Sequence, residues 1–181
     1  MGKSNKNTEL QEIRRLIRNG NYADNPQNLI KLFKELLNYR LWREIYMTLI
    51  KRAIEKRTIY YSELACKVNM RMGKAVLPEK AGQLVSTSAV ILDVISHYEH
   101  LCGRPLLSAI VIRKDTKMPG NGFWEMMKEL YKEKIKKMKK KFYNKTKKSK
   151  TKKEREIIKE IIKEEQRKVF SCWRGKSFTS K

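Results

Sequence analysis

Two histidines and one aspartate are, by type and spacing, the residues of this chain best suited to hold a metal ion. Asp93, His97 and His100 follow one another at intervals of four and three residues, which places them on one face of a helix. Carboxylate and imidazole groups are ordinary ligands of zinc and other transition metals. The apolar residues of the same segment lie on the opposite face, so we expect these side chains to point to solvent or to a partner. They are kept as a candidate metal site only, and no cofactor is predicted.

A second chemistry to consider is metal-dependent cleavage of nucleic acid. It needs two or three carboxylates converging on a divalent cation, with a lysine nearby. Asp115 lies between Lys114 and Lys117, at the end of a predicted hydrophobic strand. The candidate companions are Glu63, Asp93 and Glu99. No Asp…Glu-x-Lys spacing is present. A metal-dependent nuclease therefore remains an alternative, and no catalytic residue is assigned.

The charge balance favours a polyanionic partner. The 181 residues include 43 Lys and Arg against 19 Asp and Glu, a net charge of +24. The segment from Lys132 to Arg155 contains 14 basic and two acidic residues, so it carries +12, half of the total excess. Each phosphate that such a segment neutralises releases a counterion, which makes binding to DNA or RNA sensitive to salt. We therefore predict that nucleic acid is the main partner.

Two groups of basic residues are the candidate phosphate ligands. The first group surrounds a predicted buried strand and comprises Arg104, Arg113, Lys114 and Lys117. The second belongs to the lysine-rich segment and comprises Lys136, Lys137, Lys139, Lys140, Lys141, Lys145, Lys147, Lys148, Lys150, Lys152 and Lys153. Phe142 and Tyr143 lie within this second group and could stack on bases. A basic amphipathic helix of this kind could also lie on an anionic membrane or bind an acidic protein.

Hydrophobic periodicity predicts a mainly helical α+β protein. Leu41, Ile45, Leu49 and Ala53 recur every four residues, a spacing typical of an amphipathic helix, and we expect Trp42 beside them in the core. A helix is predicted from Ser86 or Thr87 to about Cys102. The C-terminal third predicts two long amphipathic helices, 124–142 and 157–173, joined by a polar loop as a basic helical hairpin. The predicted units are an N-terminal helical layer (1–57), a central unit (58–124) and the hairpin (125–181), which together form one compact domain with the hairpin as an appendage.

The central unit has the element order of a winged helix. A short β-prone run at Thr58–Tyr61 precedes two helices, a predicted strand at Leu106–Ile112 and a turn that contains Gly120 and Gly122. In a winged helix the second helix enters the major groove, and the turn after the strand lies along the phosphates. The two glycines either allow a close approach of the backbone to a phosphate or supply positive φ angles in a simple turn.

Three segments of the central unit resemble the winged-helix DNA-binding domain of alkyltransferase-like proteins. They are Ile59-Tyr60-Tyr61-Ser62-Glu63-Leu64-Ala65, Gly103-Arg104-Pro105-Leu106 and Met118-Pro119-Gly120-Asn121-Gly122-Phe123. The resemblance implies DNA binding, but Leu106 stands where that family has its reactive cysteine, so alkyl transfer is not expected. The Pro-Leu-Ser-Ala and Pro-Gly-x-Gly-Phe segments also resemble uncharacterised prokaryotic and phage-type proteins, which implies no activity.

The remaining features concern the compartment and the kind of protein. Three widely spaced cysteines without a CxxC motif are typical of reduced thiols, and we expect a cytoplasmic protein with neither a secretory signal nor a membrane span. The favoured function is non-catalytic binding of nucleic acid, with duplex DNA as the preferred partner. The alternatives are the nuclease and an interaction protein of phage or defence type that binds an acidic partner. DNA versus RNA, sequence specificity and oligomeric state are left open.

Overall fold

The structure is a computed structural model that describes residues 8–22, 25–78, 81–143 and 150–174. Within these ranges, side chains are not described at residue 8, 81–87, 141–143 and 150–155. Eight α-helices and a two-stranded parallel sheet form the described part of the chain, of which 74% is helical. The prediction of a mainly helical α+β protein is confirmed.

The elements follow one another in this order: α1 Thr8–Asn19, α2 Pro26–Leu36, α3 Arg40–Ile54, β1 Ile59–Tyr60, α4 Tyr61–Met72, α5 Ala81–Leu101, a 3₁₀ helix Leu107–Ile110, β2 Val111–Ile112, α6 Asn121–Leu130, α7 Lys132–Tyr143 and α8 Lys150–Cys172. Helix α5 begins at Ala81, earlier than the predicted start at Ser86 or Thr87, and it includes Gly82.

The second helix shows how the local sequence sets a boundary. The Asn25 side chain accepts a hydrogen bond from the backbone N–H of Gln27 at 2.9 Å, and Pro26 occupies the first turn, where no N–H is needed. Behind this cap, Leu29, Phe33 and Leu36 are buried. The ring of Phe33 stacks on that of Tyr98 in α5, with centroids 3.6 Å apart. This contact joins the N-terminal helices to the centre of the molecule.

Helix α3 forms the middle of the core. Trp42, Ile45 and Leu49 are completely buried, and the helix packs against α4 and the 3₁₀ helix. The expectation that Trp42 belongs to the core is therefore confirmed. Burial of such large apolar side chains stabilises the fold by about 1.5–3 kcal/mol each.

The buried segment before β2 differs from its predicted form. Only Val111 and Ile112 pair with β1, in parallel, and Leu107–Ile110 form a 3₁₀ helix instead of a strand. Side chains of other helices satisfy the backbone here: Glu165 accepts from the N–H of Leu106, Ser96 accepts from Ser108, and Gln166 donates to the carbonyl of Ala109. A buried backbone needs partners but not necessarily a neighbouring strand. The winged-helix arrangement itself stays a prediction.

The C-terminal third contains a break that the periodicity did not predict. The expected helix over 124–142 is divided into α6 and α7 at Tyr131, whose φ of −118° and ψ of 27° are not helical. The Tyr131 hydroxyl donates to the buried carboxylate of Glu165 at 2.9 Å. Helices α7 and α8 pack against each other, and Ile135 and Ile161 are buried. The two helices are called the C-terminal hairpin below.

Candidate nucleic-acid interface

The first group of predicted phosphate ligands lies on a tight loop of residues 113–118. The N–H of Arg113 donates to the carbonyl of Met118 at 2.8 Å, and the N–H of Lys117 donates to the carbonyl of Arg113. Lys117 adopts a left-handed conformation with a φ of 55°, which is uncommon for a residue with a side chain. The loop therefore returns the chain from β2 to α6 within a few residues and leaves its charged side chains outside.

The charges of the 113–118 loop are only partly neutralised. Arg113 forms an exposed ion pair with Asp115 at 2.8 Å, and its hydrogen bonds hold the pKa of that carboxyl below the ordinary value. The ammonium of Lys117 donates to the Tyr60 hydroxyl at 2.5 Å and lies 4.5 Å from the centre of that ring. Lys114 is exposed, with no carboxylate within ion-pair distance among the described residues. Three cations and one carboxylate leave the loop with a net charge of +2.

The glycines after this loop do not supply positive φ angles. Gly120 has a φ of −65° and precedes α6. Among the glycines that the structure describes, the positive angles belong to Gly73 and Gly103. The interpretation of Gly120 and Gly122 as left-handed turn residues is therefore wrong. Gly122 lies in the first turn of α6, and a Cβ atom built on it would meet no atom within 4 Å.

Arg104 has a structural partner inside the protein. Its guanidinium makes two hydrogen bonds to the completely buried carboxylate of Glu99. The Tyr46 hydroxyl donates to the same carboxylate at 2.6 Å. The hydrogen bonds that Arg104 donates to Glu99 raise the pKa of its guanidinium. This guanidinium compensates a buried charge, whereas the other predicted ligands of the first group lie on the exposed loop.

Several described lysines of α7 are exposed to solvent. Ile135 is buried against the protein, while Lys136, Lys137 and Lys140 are exposed. Lys136 pairs with Glu133 at 2.9 Å. Lys137 and Lys140 have no carboxylate within ion-pair distance in the described part of the chain, and Lys139 is half-buried.

The other lysines predicted as phosphate ligands lie outside the described side chains or residues. The side chains of Lys141, Lys150, Lys152 and Lys153, and those of Phe142 and Tyr143, lie outside the described set, and Lys145, Lys147 and Lys148 lie outside the described residues.

The charge of the hairpin changes along its length. Residues 156–174 contain five basic and four acidic side chains, and several of them pair with each other or with α7. Glu164 binds Lys134 at 2.7 Å and Lys168 at 3.1 Å, and the hydrogen bond from Lys134 lowers its pKa. Within residues 132–174, nearly all of the excess positive charge therefore belongs to residues 132–155.

The three candidate metal ligands on α5 are not solvated as expected. His97 has only 12% of its side chain exposed, its Nδ1 lies 3.0 Å from the carbonyl oxygen of Asp93, and its ring packs edge-on against Tyr22. The Tyr22 hydroxyl donates to the Asp93 carboxylate at 3.0 Å. His100 instead packs against Tyr131, with ring centroids 5.3 Å apart. The expectation of a solvent-facing row was wrong for His97, which packs against Tyr22, whereas Asp93 keeps 34% of its side chain exposed.

The described residues contain no group of three or more His, Cys, Asp and Glu side chains arranged to hold a metal ion. The carboxylates considered for a nuclease have other partners: Asp115 binds Arg113, Glu99 binds Arg104, and Glu63 pairs with Arg52.

Comparison with known proteins adds no relative to this picture. No family model, curated protein or solved structure matches this chain. Over the residues that the structure describes, no helix combines the length and apolar character needed to cross a bilayer.

Proposed function

We propose that this protein binds nucleic acid without acting on it chemically, and that phosphates are its main ligands. The observation that carries the proposal is the distribution of charge along the C-terminal hairpin. Residues 132–155 carry +12, whereas residues 156–174 carry +1. A field concentrated in this way attracts a polyanion and lets each contact release counterions.

The exposed lysines of α7 suit such contacts. Lys140 follows Lys137 by three positions, so the two side chains project from adjacent turns on one face of α7. The pair between Lys136 and Glu133 is exposed on both sides, with 61% and 73% of the side chains accessible. An exposed pair of this kind contributes little to stability, so a phosphate can replace the glutamate at small cost.

The 113–118 loop supports the same proposal at a second place. Lys114 is free to contact a phosphate, and Lys117 is held over Tyr60 at the end of β1. Contacts of this kind position a protein on nucleic acid but do not read sequence. Duplex DNA is the proposed partner, with α4 and α5 as a winged-helix-like pair.

A binding series tests the proposal. The protein is titrated against fluorescent duplex DNA, single-stranded DNA and structured RNA at about 50 and 200 mM salt, where phosphate-dominated binding differs by orders of magnitude. We expect the tightest binding to duplex DNA and a steep loss of affinity at the higher salt. No binding to any of the three at low salt would contradict the proposal. A cellular partner that survives nuclease treatment would then favour the acidic-protein alternative.

A further inference from the structure

A cavity of about 280 Å³ lies between α5, α6 and the beginning of α4. Its wall is mainly apolar and includes Val90, Leu92, Phe123 and Met126, and its polar contributors include Tyr61 and Asp93. Small-molecule sites have this character, with an apolar surface that holds the body of a ligand and a few polar groups that orient it. The cavity is separate from the proposed phosphate contacts on α7 and the 113–118 loop.

The Tyr61 hydroxyl is a buried donor with no acceptor among the described side chains. Only 8% of Tyr61 is exposed. Its oxygen accepts a hydrogen bond from the N–H of Gly120 at 3.3 Å, but no described group accepts the hydrogen of the hydroxyl. Buried polar groups are nearly always paired, so this donor is available to an acceptor on a ligand in the cavity.

The Asp93 carboxylate offers the complementary acceptor. One oxygen, Oδ2, accepts from Tyr22 at 3.0 Å and lies 3.5 Å from Nδ1 of His97. The other oxygen, Oδ1, receives no hydrogen bond from a described residue, and 34% of the side chain remains exposed. Among the described groups, the cavity wall therefore offers the Tyr61 hydroxyl as a donor and Oδ1 of Asp93 as an acceptor.

The surface beside the cavity is acidic, although the protein as a whole is strongly basic. An adjoining pocket shares Tyr22, Asp93, Gly122 and Met126 with the cavity, and its wall also includes His97, Glu125 and Glu129. We take this adjoining pocket as the mouth of the cavity. Lys128 pairs with Glu125, but no lysine or arginine among the described residues lines the opening itself. Like charges repel at this range, so a ligand with a phosphate or carboxylate is disfavoured, and a neutral or cationic one is favoured.

Gly122 leaves open space beside the mouth. It is the second residue of α6 and has no positive φ, and a Cβ atom there would contact nothing within 4 Å. The described residues therefore give no steric reason for a glycine at this position. Space beside this backbone fits a ligand that approaches α6 closely.

We propose that this cavity binds a small amino-substituted heteroaromatic molecule that has no phosphate or carboxylate. The ring would lie among Val90, Phe123 and Met126, its amino group would donate to Oδ1 of Asp93, and a ring nitrogen would accept from the Tyr61 hydroxyl. The size of the cavity limits the ligand to one or two fused rings. This site does not depend on the proposed binding of nucleic acid.

The test uses 2-aminopyridine as the probe, at a pH above its own pKa so that the ring nitrogen is unprotonated, and benzoate as a matched anionic ring. Binding of each is followed with the full-length protein by amide chemical-shift changes and by saturation transfer to the ligand. We expect saturable shifts around Gly122 and Tyr61 with 2-aminopyridine. The affinity for benzoate should be at least about ten-fold lower. Absence of saturable shifts with 2-aminopyridine, or equal binding of benzoate, would overturn the proposal.

Variants locate the site. Asp93→Asn replaces one carboxylate oxygen by an amide donor and should lower the affinity for 2-aminopyridine about ten-fold. Tyr61→Phe should lower this affinity by a smaller factor. Gly122→Leu closes the mouth without removing any existing contact, so the folded protein should bind no probe. Glu160→Gln on α8 removes one negative charge away from the cavity and should bind as the parent does. Unchanged binding by a folded Gly122→Leu protein would refute the site.

Discussion

The guanidinium of Arg104 makes two hydrogen bonds, of 2.5 and 2.9 Å, to the carboxylate of Glu99, which is completely buried. The backbone N–H of Arg104 also donates to the carbonyl of Glu99 at 2.8 Å. The side-chain and backbone bonds together fix the end of α5 to the segment that leads into the 3₁₀ helix. Arg104, which the sequence analysis included among the phosphate ligands, thus compensates the charge of the buried Glu99 carboxylate.

Removing Arg104 should destabilise the fold more than it weakens binding of nucleic acid. Arg104→Met leaves Glu99 buried without a cation, and breaking a buried pair in this way costs about 3–5 kcal/mol. The free energy of unfolding in urea measures the effect. The double variant Arg104→Met with Glu99→Met should recover much of the loss, since it removes both charges. Equal stability of the single and double variants would contradict this account.

Glu165 should behave as a structural acceptor in the core. Its Oε1 accepts from the Leu106 N–H at 2.8 Å and from the Tyr131 hydroxyl at 2.9 Å. Glu165→Leu leaves both donors unsatisfied, at a cost of about 1–3 kcal/mol each, whereas Glu165→Gln keeps an acceptor and should cost less. Urea denaturation of the two variants checks the order. The account fails if the leucine variant is at least as stable as the glutamine variant.

The elements that could be predicted from the sequence are those with a regular apolar pattern. The places that could not be predicted are those where polar side chains from distant helices bind the backbone. The four-residue spacing of Leu41, Ile45 and Leu49 identified α3 and its buried face. The segment before β2 resembled a strand because it is wholly apolar, and nothing local shows that Glu165 and Ser96 would satisfy its backbone.

The same limit applies to the candidate sites. Glu99 follows Ile95 by four residues, and Glu165 lies four residues from both Ile161 and Val169. This spacing places both acids on apolar helix faces and is the signal that could have marked them as core residues. The cavity beside Gly122 is lined by residues from five separate segments of the chain, so no single pattern predicts it. The excess charge of residues 132–155, by contrast, is visible in the sequence directly.

The pKa of Asp93 should lie above its ordinary value of 3.8, chiefly because burial disfavours the charged form. Glu129 adds to the rise, while His97 and the Tyr22 hydroxyl oppose it. A carboxyl with a raised pKa contributes stability below pH 3.8 that is lost as the pH rises through its value in the folded protein. The Asp93→Asn protein does not lose this contribution. As the pH rises from 3.8 through the folded-state pKa of Asp93, the variant should therefore gain stability relative to the parent. Carbon-detected NMR titration of the carboxyl gives the pKa directly, and a value at or below 3.8 would contradict the prediction.

The two basic residues at the beginning of the 113–118 loop should contribute unequally to binding. Asp115 already neutralises Arg113, whereas Lys114 has no carboxylate partner in the described structure. Lys114→Gln should reduce the slope of log K against log [salt] by up to about 0.9, the value for one duplex phosphate contact. Arg113→Gln should reduce it less. Fluorescence anisotropy with duplex DNA measures both, and a larger effect of the arginine variant would argue against this order.

The most direct test of phosphate binding by the C-terminal hairpin is the salt dependence of DNA affinity in two matched double variants. Lys137→Gln with Lys140→Gln removes two exposed lysines three residues apart on α7. Lys31→Gln with Lys34→Gln makes the same change on α2, where both lysines are also exposed. The account predicts that the α7 variant binds DNA more weakly than the parent. Its slope of log K against log [salt] should fall by up to about 1.8, from two contacts at about 0.9 each. The α2 variant should keep the parent slope. Equal slopes for the parent and the α7 variant would contradict it.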